Sequence, residues 1–175
     1  MMSRNYGTAV LKYSLYAVIL IVLYVLQETP AFLTFFGVKP ILVLPWAVSI
    51  AVFEGEFTGA LAGMLAGLFC DLGGITLFGF NGLVCLVLCA AIGLVVLFLM
   101  RPNLLSTLLL GAAAVFIRGA LEYLTCFSIW GYDPGGRYFL TKVLPCAGLT
   151  IAVLPLCFLM VRALHNKFED KLKVS

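Results

Sequence analysis

The stretch Glu54–Asp71 reads EGEFTGALAGMLAGLFCD, and Gly55, Gly59, Gly63, Gly67 and Asp71 fall in it at strict four-residue intervals. In water, each glycine inside a helix costs about 1 kcal/mol against alanine. In a bilayer the same spacing has a use. It makes a groove without side chains, into which a neighbouring helix can press its backbone. The spacing therefore predicts the buried central helix of a small membrane bundle, with a carboxyl group near each end. Four residues at 3.6 per turn advance about 400°, so the stripe drifts by about 40° per step and winds about 160° from Gly55 to Asp71. One straight neighbour cannot follow all of it. Either a partner crosses at the steep angle typical of GxxxG contacts, or two neighbours share the stripe. Ala62 and Ala66 widen the small surface. Gly55, Gly59, Gly63 and Gly67 are thus candidates for packing inside the bundle or for binding a partner helix.

Composition agrees with a membrane setting. The chain is 63% hydrophobic and 11% charged, against roughly 45–50% and 25% for a soluble domain. Its 175 residues suit one integral membrane domain spanning residues 1–175. The net charge of +3 comes without a basic run interleaved with aromatics, so no nucleic-acid partner is expected. Cys70, Cys85, Cys89, Cys126, Cys146 and Cys157 lie in or at the ends of apolar runs, with no CxxC pair and no histidine at ligand spacing. They are expected to be small apolar packing residues rather than metal or redox groups. HExxH, GxSxG and Walker motifs are absent, so neither an enzyme nor a cofactor is expected. The single histidine, His165, is expected to be solvated or headgroup-facing in a basic tail, Arg162–Ser175.

Six spans are predicted, at about residues 10–27, 40–53, 57–71, 81–100, 104–127 and 138–161. The first apolar run resembles a signal peptide, but Gln27-Glu28-Thr29-Pro30 is a poor cleavage site, so it is expected to remain as a span. Ala31–Val38 is too short to cross a bilayer and is expected to lie in the outer interface, with Phe32, Phe35 and Phe36 as anchors. Pro40 suits the first turn of the second span, and a kink is expected at Pro45. Glu54-Gly55-Glu56 reads as a tight inner hairpin, Asp71–Asn81 and Trp130–Arg137 as outer loops, and Arg101-Pro102-Asn103 as an inner turn. With this layout the inner segments hold Arg4, Lys12, Arg101, Arg162, Lys167, Lys171 and Lys173, and the outer ones Lys39, Arg137 and Lys142. The positive-inside rule then puts both termini in the cytoplasm.

Charges inside spans are rare and need partners. Arg118 and Glu122 are four apart on the fifth helix, so they share a face, and Asp71 ends the third helix on the same outer side. A buried polar cluster of Asp71, Arg118 and Glu122 is expected in the outer half of the bundle. It reads as either a polar pocket open to the outside or a structural ion pair that fixes helix register.

Lys39-Pro40, Glu54-Gly55, Gly59, Gly63, Gly67-Leu68, Asp71 and Gly79-Phe80-Asn81 together resemble the rod shape-determining protein MreD family, over essentially the whole chain. The most specific section runs from Gly67-Leu68 and Asp71 through Leu77 to Gly79 and Asn81. The resemblance implies a non-catalytic, multi-pass protein of the bacterial cytoplasmic (inner) membrane, in contact with membrane lipid. It implies direct binding to the bitopic protein MreC, and through it work with MreB, RodA and a class B penicillin-binding protein in lateral-wall peptidoglycan synthesis. The family is similar in fold to the substrate-binding S components of energy-coupling factor transporters, which are six-helix bundles. That kinship supplies the alternative, a membrane subunit for uptake of a vitamin-type small molecule. S components typically carry an AxxxA-type stripe on the first helix. Here Tyr13–Leu26 has Ala17 as its only alanine, and the small stripe lies on the third span.

Overall fold

The computed structural model describes residues 2–29, 39–73, 78–125 and 144–173. Ala31–Val38, positions 74–77, Cys126 and the turn Trp130–Arg137 lie outside the described residues. Within them the chain is all-helical: α1 (Met2–Glu28), α2 (Val43–Glu54), α3 (Glu56–Gly73), α4 (Phe80–Phe98), α5 (Leu104–Tyr123) and α6 (Leu144–Lys173). Four helices are long and apolar enough to cross a membrane: α1 from Val10, α4, α5, and α6 as far as Glu169. Their outward faces carry exposed Val18, Val22, Leu83, Leu97, Leu109, Phe116 and Leu156. This is the apolar exterior that a bilayer solvates.

The predicted second and third spans appear as α2 and α3, but their roles are exchanged. The central helix is α2, in which every residue from Val43 to Val52 is buried. At 12 residues, α2 is about 18 Å long, short of the ~30 Å hydrocarbon core. It is apolar all round, as a helix enclosed by others must be. By contrast, α3 buries only the face with Gly59, Gly63, Ala66, Gly67 and Asp71, while Phe57, Leu61, Leu65 and Leu72 are exposed. The glycine stripe marks one face of close approach, and does not mean enclosure.

The start of α2 is held by side chains from two other helices. The Leu42 amide donates to Gln27 Oε1 of α1 at 2.9 Å, and the Ile41 amide to Thr150 Oγ1 of α6 at 3.1 Å. Helix-start amides lack intrahelical acceptors, and these two are satisfied without water. Pro45 falls in the first turn of α2, where a missing N–H leaves no gap. The helix starts three residues later than the predicted Pro40, so the expected mid-span kink has no basis. Trp46, Val48, Leu44 and Ile50 of α2 pack with Phe158 and Val161 of α6 and with Tyr16 and Leu20 of α1. Trp46 also donates through Nε1 to the Tyr16 carbonyl at 3.3 Å.

Gly55 alone joins α2 to α3, at φ 86° and ψ −175°, a region essentially open only to glycine. From there α3 packs most extensively on α4 and then on α2. The last helix continues to Lys173, so the predicted tail from Arg162 onward is largely a continuation of α6. That continuation carries His165 back onto the bundle.

Candidate functional site

Two buried polar clusters stand out, at opposite ends of the bundle. At the hairpin end, Glu54 closes α2, and its Oε1 is approached from three sides. Lys12 Nζ of α1 lies 2.5 Å away and His165 Nδ1 of α6 lies 2.7 Å away. The Tyr16 hydroxyl donates to the same oxygen at 3.0 Å. An ionised carboxylate only accepts hydrogen bonds, so Nδ1 is the nitrogen that carries the proton toward it. On the far side of the ring, Nε2 is 4.0 Å from Glu169, one turn further along α6. The Phe53 ring flanks the imidazole at 5.5 Å between centroids. Lys12 and Tyr16 are four apart, as are His165 and Glu169, so each pair shares a helix face. Lys12 and Glu54 side chains are both only 7% exposed, and charges this buried persist only when paired.

Three separate expectations meet in this cluster. Lys12 was expected in an inner segment and Glu54 in the inner hairpin, and the structure places them against each other. His165, expected to be solvated, is part of the same cluster, with a side chain only 18% exposed. The local signals were the two i,i+4 pairs. Nothing local announces that segments 38 and 111 residues from Glu54 converge on it.

The second cluster lies where α3 gives way to α4. Asp71 is buried, and its carboxylate accepts from the Gly79 amide at 2.9 Å, the Asn81 amide at 3.3 Å, Asn81 Nδ2 at 2.9 Å and the Gly82 amide at 3.3 Å. A carboxylate at a helix start satisfies free amides and complements the positive end of the helix dipole. Asp71 therefore caps α4 from the end of the preceding helix. Gly79, at φ 93°, supplies the left-handed residue that turns the chain into α4.

Arg118 is 5% exposed. Its Nη2 lies 3.5 Å from Glu122 Oε2, and that carboxylate is 40% exposed. Among the described residues, Arg118 Nε has no hydrogen-bond partner. The structure thus brings Arg118 and Glu122 together, while the donors it describes for Asp71 come from the start of α4. The expected cluster of Asp71, Arg118 and Glu122 is thus described in two parts, Arg118 with Glu122 and Asp71 with the start of α4.

The stripe is divided between two neighbours. A side chain at Gly59 would meet Ala51 of α2, one at Gly63 would meet the Cys85 carbonyl and Cys89 of α4, and one at Gly67 would meet Asn81 and Gly82. Gly93 of α4 returns the approach, with its Cβ position 2.5 Å from the Glu56 backbone. Gly55, at the joint, faces open space. Among the described residues, no group of three or more His, Cys, Asp or Glu side chains could hold a metal ion. Comparisons with family models, with curated proteins and with solved structures find no match to this chain.

Proposed function

We propose that this protein is a membrane scaffold of the MreD type, which binds the bitopic protein MreC and supports cell shape and lateral peptidoglycan synthesis at the bacterial cytoplasmic membrane. One observation carries this reading. The residues of the resemblance work as one structural unit: Gly63 and Gly67 let α3 press on α4, and Asp71 fastens the start of α4 through Gly79, Asn81 and Gly82. A motif that defines a helix pair, with no reactive group of its own, fits recognition rather than chemistry. Both termini lie in the cytoplasm in this reading, and MreB, RodA and a class B penicillin-binding protein join through MreC. Because Gly59, Gly63 and Gly67 are covered by α2 and α4, the partner helix is received elsewhere on the apolar exterior.

The test is co-purification with a bitopic MreC homologue from a rod-shaped host, together with depletion of the protein in that host. Association and rounding of the rods are expected. A second reading, an uptake subunit similar to energy-coupling factor S components, is favoured by the buried Arg118, whose Nε has no partner among the described residues and which suits an anionic small molecule. Tight binding of a vitamin-type ligand, with no association with MreC, would replace the scaffold reading.

A further inference from the structure

Between α1 and α3 lies an apolar slot of about 330 Å³, walled by Tyr13, Ala17 and Leu20 on one side and Thr58, Ala62 and Leu65 on the other, with Ile50 of α2 as its floor. We propose that this slot receives one acyl chain of a bilayer phospholipid, drawn from the leaflet at the hairpin end of the bundle.

The two helices run in the same direction, and the slot extends from Tyr13 to Leu20 on α1 and from Phe57 to Leu65 on α3, about 10–12 Å at 1.5 Å per residue. One turn beyond its outer limit the helices close on each other. Tyr24 stacks on Phe69 with centroids 4.9 Å apart, and Glu28 then lies over Gly73. The slot is therefore a blind cleft, close in length to half the ~30 Å hydrocarbon core. A transmembrane helix from a partner or a second copy needs a track about 10 Å wide through the whole core, and the Tyr24–Phe69 stack interrupts any such track. A polar ligand would find few partners. Of the hydroxyls around the slot, that of Tyr16 is already bound to Glu54. A hydrocarbon chain asks for no hydrogen bonds and ends within one leaflet. The cleft opens sideways to the bilayer, since Tyr13, Phe57, Leu61 and Leu65 on its rim are exposed. The Lys12–Glu54 pair and Tyr16 hold α1 at the hairpin end, and the aromatic stack holds it one turn past the slot. The gap therefore belongs to the folded bundle and is not the result of a loose helix.

Trp46 is a built-in reporter. It is fully buried and sits edge-on to Tyr16 of the slot wall, with centroids 6.1 Å apart. In a Trp130→Phe background it is the only remaining tryptophan. The protein is reconstituted into phosphatidylcholine vesicles with plain or mid-chain-brominated acyl chains, and Trp46 fluorescence is compared. Bromine quenches at short range, so a chain in the slot should quench this tryptophan although it is shielded from the bulk lipid. Ala17→Phe fills the slot from an exposed position on α1 and should reduce the quenching about twofold by evicting the chain. Ala62→Leu fills it from the other wall, should act the same way, and stands in if one variant fails to give a monodisperse protein. Leu83→Phe, on the exposed face of α4, should leave the quenching unchanged. Absent quenching in the parent, or equal quenching in both filled variants, overturns the proposal. Equal quenching combined with loss of self-association or of a co-purified partner also overturns it, and assigns the slot to a protein.

Discussion

Among single residues, Asp71 holds the junction between α3 and α4. It is a buried carboxylate whose described partners are three amides and one side-chain amide at the start of α4. Asp71→Asn keeps the shape but turns one acceptor into a donor facing amides that also donate. A buried donor without an acceptor costs about 1–3 kcal/mol, so Asp71→Asn should lower stability by that amount in SDS titration of the micelle-bound protein. Because Arg118 pairs with Glu122, Asp71→Asn and Arg118→Leu should add to within about 0.5 kcal/mol. A larger coupling would show that the carboxylate and the guanidinium depend on each other directly. Gly55 matters through its backbone alone. Its Cβ position is open, yet its backbone conformation strains any other residue, so Gly55→Ala should cost about 1–3 kcal/mol through the joint alone. A neutral Gly55→Ala in the same titration would mean that the hairpin relaxes into an ordinary turn.

At the scale of elements, the α3–α4 pair is set by glycine. Gly63 approaches a backbone carbonyl, at Cys85, as well as a side chain, so its neighbour has little freedom to yield. Overpacking of this kind costs about 1–3 kcal/mol and occasionally more. Gly63→Leu should therefore destabilise the protein at the upper end of that range, while Leu72→Ala, on an exposed part of α3 away from the slot, should change stability by less than about 0.5 kcal/mol. Comparable losses for the two would mean that α3 does not present its glycine face to α4. Much of this pair was legible in the sequence. The four-residue spacing predicted a close approach, its 160° drift left two neighbours as one of the options, and α2 and α4 are those neighbours. Which helix is central was not legible. In a bilayer the outward face of α3, with Leu61 and Leu65, is as apolar as a buried one, so composition cannot separate lipid contact from protein contact. The enclosed α2 shows no periodic signal because no face of it is exposed.

At the scale of the whole molecule, the bundle is closed at the hairpin end by an ion cluster that joins its first, second and last helices. Beyond the two i,i+4 pairs, nothing local showed that these segments converge. Lys12, Glu54 and His165 each lie at the end of an apolar run, where a charge is ordinarily solvated, and only the fold makes them neighbours. In the fold, α1 is the least enclosed of the crossing helices, and Glu54 is the acceptor that anchors its near end. The three donors on Glu54 are not equivalent in consequence. Glu54→Leu leaves Lys12 buried without a counter-ion, and removing one partner of such a pair costs about 3–5 kcal/mol. Lys12→Met leaves the carboxylate with Tyr16 and His165, so its cost should be clearly smaller. The double variant removes both charges, and it should recover about 1–3 kcal/mol relative to the sum of the two singles. Hydrogen exchange should report where the loss falls. In Glu54→Leu the α1 amides near Lys12 should exchange faster, while those of α4 stay protected, because local opening follows the contacts that were removed. Additive costs within about 0.5 kcal/mol, or uniform loss of protection across all helices, would mean that α1 is held by its apolar face and that the cluster only neutralises itself.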